Sequence, residues 1–488
     1  MMTNRDQELR QKAKETIKRY ERLVQRDPYR LVYHLMPPVG LLNDPNGFID
    51  WDGTYHLFYQ WHPFEAAHGP KFWGHFVSGD LVFWEEKEPA LTPSDWFDKN
   101  GCYSGSAVAD NGKLKLFYTG NVKNENDERE SYQCVAESED GLTFTKKGVI
   151  LHVPDGYTAH FRDPKVWKRD GIWYLVIGAQ TKQIDGHVLL FRSDDLKEWK
   201  FAGIVTGSNV RSMGDFGYMW ECPDLFHLDG EDVLLVSPQG LEKQGYLYHN
   251  VHNTGYFIGR LDYETGELVH GPFKELDRGF EFYAPQTTID RYGRRILFGW
   301  MGVPDQGEEK HPTVKHQWIH AMTLPRELKL VDGKIYQRPV EELKQLRINE
   351  VSRPSVKISE HPQRFEEISG EAFELLLHVE ENQAEVFELT IRDNVRVIFN
   401  RGLKRLTLER VSFVDGLTES RHCELAELSS LHLYVDTSAV ELFVNEGEEV
   451  FTARYFADPA NRSIQFKTLH GSLTASLKKW ALDSIMKK

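Results

Sequence analysis

DGTYHLFY, at residues 52–59, joins a turn suited to glycine to a run of apolar and aromatic residues of strand length. The phrase returns as NGKLKLFY (111–118), DGIWYLVI (170–177), DGEDVLLV (229–236) and YGRRILFG (292–299). Its turn glycines, Gly53, Gly112, Gly171, Gly230 and Gly293, are separated by 59, 59, 59 and 63 residues, a regularity that five unrelated hairpins would not produce. A second element, SGDLVFW (78–84), SEDGLTF (138–144) or SDDLKEW (193–199), follows three of the copies and fits an outer hairpin with a polar turn. Units of this length holding several strands predict propeller blades, which close radially and leave few exposed sheet edges. Five copies predict five blades across residues 30–335.

On the N-terminal side, Leu9, Ala13, Ile17, Leu23 and Val24 fall at helical spacing and stop before Asp27-Pro28. Residues 1–29 are therefore expected to form a short helical segment packed on the main domain. On the C-terminal side VEELKQLR (340–347) is helical in pattern, inside an expected linker over 336–352. Beyond it, Leu431, Leu433 and Val435, then Val440, Leu442 and Val444, alternate without the repeat, so 353–488 reads as a separate β-sandwich. The expected fold class is all-β: a five-bladed β-propeller followed by a C-terminal β-sandwich, with a short N-terminal helix.

The formal charge of −15 disfavours nucleic acid or an anionic membrane as partner and suits a small polar substrate. The first thirty residues are heavily charged and hold no continuous apolar run, which predicts neither a secretory leader nor a membrane span and a cytoplasmic location. Cys102, Cys134, Cys222 and Cys423 match neither a disulfide framework nor zinc spacing, so reduced structural thiols are expected.

Counted back from the turn glycines, Asp44 lies 9 before Gly53, Asp163 lies 8 before Gly171 and Glu221 lies 9 before Gly230. The other two copies hold Tyr103-Ser104 and Ala284-Pro285 there. If each of these strands is the innermost of its blade, three carboxylates converge on one mouth of the channel. Each acid alone has an ordinary explanation: Asp44 as a turn residue in NDPNG, Asp163 as the partner of Arg162. Glu221 is harder to explain, lying among Trp220, Cys222, Pro223 and Leu225. Clustered like charges raise one another's pKa, a cost usually kept for function. Glycoside cleavage needs that environment, because one carboxyl must attack while another holds a proton. Trp51, Trp61, Trp73, Tyr103, Trp220, Tyr283 and Trp300 lie in or beside the same segments, where they either stack on sugar faces or pack between blades.

Several motifs carry a family likeness: HLMPPVGLLNDPNG (34–47), FWGHFVSGDL (72–81), FRDP (161–164), WECPDLF (220–226), FYAPQT (282–287) and DTSAVELFVNEGEEVFTARYF (436–456). In this order they resemble the family 32 glycoside hydrolases. The resemblance implies a retaining β-fructofuranosidase that hydrolyses sucrose, sucrose 6-phosphate or both, with Asp44 as nucleophile, Glu221 as acid/base and Asp163 as transition-state stabiliser. It implies Asn43, Gln60, Trp73, Tyr103, Ser104, Arg162, Tyr283 and Trp300 around the sugar, no metal, no cofactor and a small sugar as partner. Leu41-Leu42 stands where the family often has Trp-Met. SDWFDKNGCYSGSAV (94–108) resembles the bacterial intracellular members, whose phosphorylated substrate would call for nearby cations. Lys71, Lys99, His311 and Lys315 lie near the motif loops but are expected to be solvated. The competing readings are a fructan- or raffinose-active fructosidase or fructosyltransferase, an inverting five-bladed glycosidase acting on arabinosides or xylosides, and a non-catalytic carbohydrate-binding propeller.

Overall fold

A computed structural model describes residues 3–485; the outermost ends of the expected helical segment (1–2) and sandwich (486–488) lie outside the described residues. The architecture is all-β. The single α-helix among the described residues, Asn4–Gln25, starts at Thr3, whose hydroxyl accepts the Asp6 N–H (3.1 Å). Ala13 is buried in the same apolar cluster as Phe72 and Trp84, which fixes the helix on the first sheet.

Four of the repeated turns have one geometry. Asp52-Gly53, Asn111-Gly112, Asp170-Gly171 and Asp229-Gly230 all have positive φ at both positions, the mirror-image turn that matches strand twist. The fifth is longer: the Gly293 N–H bonds the Asp290 carbonyl (2.9 Å) and the Asp290 carboxylate accepts the Tyr292 and Arg294 N–H groups.

Each turn links the first two strands of an antiparallel sheet, and five such sheets follow one another, headed by Gly40–Trp51, Cys102–Asp110, Tyr157–Arg169, Met219–Leu228 and Tyr283–Ile289. The second strands read as nearly unbroken apolar runs because both of their faces are covered. Leu57 points to one neighbouring sheet and Phe58 to the other: Leu57 packs with Ile296 and Phe298 of the fifth sheet, Phe58 with Leu116 and Tyr118 of the second. Similar clusters join the second sheet to the third, the third to the fourth and the fourth to the fifth. Gly40 and Leu41 also pair in parallel with Trp318 and Ile319, tying the segment between the second and third strands of the fifth sheet to the first strand.

All five heading strands carry a bulge, between Leu42 and Pro45, Tyr103 and Gly105, Arg162 and Lys165, Glu221 and Asp224, and Tyr283 and Gln286. Bulges re-aim side chains, and the X-Pro steps suit them because proline gives up a ladder hydrogen bond. Just past the bulges a polar belt links neighbours: Gly105 N–H to Asn46 Oδ1 (3.2 Å), Ser106 Oγ to Pro164 O (2.8 Å), Lys165 Nζ to Asp224 (3.0 Å), Thr287 N–H to Asp224 (2.7 Å) and Phe48 N–H to Gln286 (2.8 Å).

This belt corrects the register read from the glycines. Asp44, Ser104, Asp163, Cys222 and Ala284 occupy one ring, each two residues before a belt residue. Glu221 lies one position earlier, with Asn43, Tyr103, Arg162 and Tyr283. The count from Gly53 misleads because the first strand has a second irregularity between Asn46 and Ile49, where Gly47 has φ +51°. In the fifth, the longer turn adds a residue.

Strand structure also runs through much of the expected linker 336–352. Lys334–Pro339 ends inside it, a 3₁₀ turn covers Glu341–Leu346, and Arg347–Ile358 begins at once, crossing the expected sandwich boundary. The C-terminal region holds two six-stranded antiparallel sheets enclosing one core, including Leu375, Leu389, Phe399, Leu433 and Phe466. It meets the first region through buried charges. Glu441 accepts Arg326 Nε (3.0 Å) and the Leu324 N–H (2.7 Å) and contacts His34 Nε2 (3.0 Å); Asp436 contacts His34 Nδ1 (2.9 Å). Arg326 also bonds Asp277 (3.0 Å).

Candidate active site

The heading strands bring the three acids together. Asp44 is half-buried; its Oδ2 accepts the Ser104 hydroxyl (2.5 Å) and its Oδ1 the Asn43 amide (3.1 Å). Gln60 donates to Ser104 Oγ (2.7 Å) and accepts from Asn43 (3.5 Å), closing a polar chain around Asp44. Cys222 ties the three acids into one group. Its thiol lies 3.7 Å from Asp44 Oδ2, its N–H donates to Asp163 Oδ2 (3.0 Å), and it is the next residue after Glu221. Expected as a packing thiol, Cys222 is the hub of the cluster; burial and the three acids push its pKa far up, so it stays a neutral thiol.

Glu221 is held from four sides. Arg162 reaches Oε1 with Nε (2.8 Å) and Nη2 (2.7 Å), and Oε2 accepts Gln239 Nε2 (2.8 Å) and Tyr283 Oη (2.7 Å). Burial alone would raise its pKa, but Arg162 and the Tyr283 hydroxyl bring it below the usual carboxylate value. Asp163 goes the other way: burial, reinforced by the charges of Glu221 and Asp44, raises it to about 7 against the pull of Arg162. Asp44 is raised by burial, with Glu221 adding to the shift and Ser104 opposing it. The cluster thus keeps Glu221 charged at neutral pH, while Asp163 exchanges its proton near pH 7.

This arrangement predicts a stability effect. An acid whose folded pKa lies above its unfolded value costs stability as pH rises from about 4 to about 7, and the loss then stays constant. Asp163→Asn keeps an acceptor for the Cys222 N–H while removing the buried charge. Its Tm should exceed that of the native protein by a few degrees at pH 8, with the gap closing towards pH 4. A variant less stable than the native protein at pH 8 contradicts the inverted pKa order.

Of the residues expected around the sugar, Asn43, Gln60, Ser104, Arg162 and Tyr283 are bonded into this network. Tyr103 is half-buried beside it, with Arg129 5.7 Å from its ring centre. Trp300 packs edge-on against Tyr283 (6.1 Å between centroids) and its indole N–H, like Asn43 Oδ1, has no hydrogen-bond partner among the described residues. Trp73 stands behind the site: fully buried against Phe58 and Tyr118, it donates its N–H to Tyr103 O (3.1 Å) and so braces the strand that carries Tyr103. Trp61 and Trp220 are core residues, Trp220 stacked on Phe257.

Sequence reasoning missed Gln239. The signal lay in the far ends of the second strands, where Gln60, Thr119, Gln239 and Trp300 all reach the site; Thr119 does so through the Asp163 N–H (3.1 Å). It also misjudged two of the four loop cations. Lys99 and Lys315 are exposed as expected, but Lys71 and His311 are buried. His311 bonds Thr313 (2.8 Å) and packs between Phe413 and Phe456, away from the acids.

Comparison with known proteins places the chain in a family. Residues 34–339 match the model of the glycosyl hydrolases family 32 N-terminal domain, and residues 342–481 that of the family 32 C terminal. The chain is 54% identical to the sucrose-6-phosphate hydrolase of Bacillus subtilis, over 95% of this chain and 96% of that one. The structure of sucrose-6-phosphate hydrolase from Lactobacillus gasseri superposes with a TM-score of 0.88 at 33% identity, covering 97% of both chains. A variant of a Bombyx mori beta-fructofuranosidase in complex with sucrose superposes with a TM-score of 0.86 at 35% identity, covering 98% of this chain and 99% of that one. The chain belongs to family 32 of the glycosyl hydrolases.

Proposed function

We propose that this protein is a retaining β-fructofuranosidase that hydrolyses sucrose 6-phosphate and sucrose, releasing fructose, on a five-bladed β-propeller (30–335) backed by a β-sandwich (353–488). The observation that carries the reading is the cluster of Asp44, Asp163 and Glu221 around Cys222, with two carboxyls pushed in opposite directions by their surroundings. The substrate class follows from the relatives named above. The ring of five sheets, each packed on the next, supports the propeller.

Asp44 attacks C2 of the fructosyl unit while Glu221 protonates the departing oxygen; Glu221 then activates water to release fructose from Asp44. This assignment needs the proton to move. The surroundings favour the proton on Asp163 over Glu221, but sugar hydroxyls donating to Asp163 favour its carboxylate, and Arg162 turning towards the sugar frees Glu221 to take up a proton. Asn43 Oδ1 is free to accept a sugar hydroxyl and Trp300 N–H to donate to one. Direct attack requires the two carboxyls to be about 5 Å apart, whereas inversion would need about 6.5–9.5 Å.

A location in the cytoplasm suits the reading. Four free cysteines fit a reducing compartment.

Methanol added to the reaction tests the stereochemistry. A fructosyl-enzyme should partition to methyl β-fructofuranoside, identified by NMR. The α anomer as the first product would replace double displacement with inversion.

A further inference from the structure

The fructosyl ring must reach the acids first, so the outer sugar, with any phosphate on it, lies at the entrance above them. Two irregular segments meet at that entrance: the 63–71 loop of the first sheet and the 301–317 insert of the fifth. His68 lies at their junction, its side chain 43% exposed, next to Trp300 (6.3 Å between centroids). Its Nε2 faces Glu308 (3.1 Å), which is also bonded by His320 Nε2 (2.7 Å), and its Nδ1 faces Lys71 Nζ (3.0 Å). Lys71 is fixed from behind, where its carbonyl accepts the Cys102 N–H (2.9 Å), one residue before Tyr103.

Lys71 is 4% exposed, and among the described residues no carboxylate lies within salt-bridge distance of its ammonium. Among the described residues His68 is the only hydrogen-bond partner of a group with three donors. Burial lowers its pKa to about 7, with Asp44 and Glu308 opposing. An ammonium sunk beside the entrance with two donors unused is costly unless a ligand completes it. A phosphate monoester brings close to two negative charges and three acceptor oxygens at neutral pH. Glu308 orients His68 so that Nδ1 meets Lys71, which holds the ammonium in place.

We propose that Lys71, held by His68 and Glu308, is the subsite for the phosphate of sucrose 6-phosphate. The inference rests on the β-fructofuranosidase reading and adds to it the residues that tell the phosphorylated sugar from the free one. Of the other cations near the motif loops, Lys99 and Lys315 are exposed and His311 is enclosed by aromatic rings.

The test compares kcat/KM for sucrose 6-phosphate and for sucrose in the native enzyme, Lys71→Met, Lys71→Arg and His68→Gln. The ratio of the two should fall about 30-fold in Lys71→Met, the scale of a lost charge-assisted hydrogen bond, and about fivefold in His68→Gln, and recover largely in Lys71→Arg. Inorganic phosphate should compete with sucrose, with a Ki about tenfold weaker in Lys71→Met. Equal losses for both substrates would make Lys71 structural and overturn the proposal. If the native enzyme does not prefer the phosphate ester, the substrate reading fails, and the subsite then stands or falls on the Lys71 dependence of inhibition by phosphate. His68→Gln decides the matter if Lys71→Met does not fold.

Discussion

Asp44→Asn should lower kcat for sucrose by about 10⁴-fold, equivalent to about 5 kcal/mol of transition-state stabilisation, without lowering Tm. The amide is isosteric and its carbonyl oxygen can still accept the Ser104 hydroxyl; its NH2 then faces the Asn43 amide, a donor–donor contact that a flip of Asn43 relieves while Gln60 continues to donate to Ser104. What disappears is the carboxylate proposed to form the bond to C2. Asp163 should also titrate lower in the variant, because Asp44 is one of the charges that raise it. Steady-state kinetics and a melting curve suffice as measurement. Near-native sucrose hydrolysis by the folded variant would remove Asp44 from the role of nucleophile.

Glu221→Gln should cost about 10³-fold in kcat for sucrose, within the range for a positioned acid/base. Glutamine keeps one acceptor oxygen, which can serve either Arg162 or the Tyr283 hydroxyl but not both, and it leaves the guanidinium without its counter-charge. Two steps suffer, protonation of the leaving oxygen and activation of water, and they can be separated. An aryl fructoside needs little protonation, so it should form the fructosyl-enzyme readily and then stall, seen as a burst of aryl alcohol. Azide needs no general base and should restore turnover with formation of β-fructosyl azide. A variant equally slow on aryl fructoside and sucrose, and deaf to azide, would mean that Glu221 only binds substrate.

Much of the fold was legible because it is written locally and repeatedly. The Asp-Gly and Asn-Gly turns fix hairpin geometry on their own, and runs such as LFY and LVI record strands covered on both faces. The motif acids were legible for the same reason, each sitting at a bulge marked by proline. What escaped was non-local. One extra residue near Gly47 shifted the count that aligned Glu221 with Asp44, and only contacts between strands reveal it. The Arg162–Glu221 pair reverses the pKa order that the catalytic roles alone would suggest, because it depends on two sheets meeting. Lys71 looked like a solvated loop residue, since nothing in GPKFW says that a loop 230 residues further on closes over its neighbours.

The charges shared by His34, Arg326, Asp436 and Glu441 bear on how such a chain can diversify. His34 is ten residues before Asp44, Arg326 follows the fifth sheet's long insert, and their partners Asp436 and Glu441 belong to the rear sandwich. A sandwich transplanted from a distant cousin strands ions in a buried seam, and deleting it bares them; either change disturbs the segment that leads to Asp44. Lineages can therefore exchange that rear half only together with its matching residues in front, so the two halves are expected to have descended as one hereditary unit.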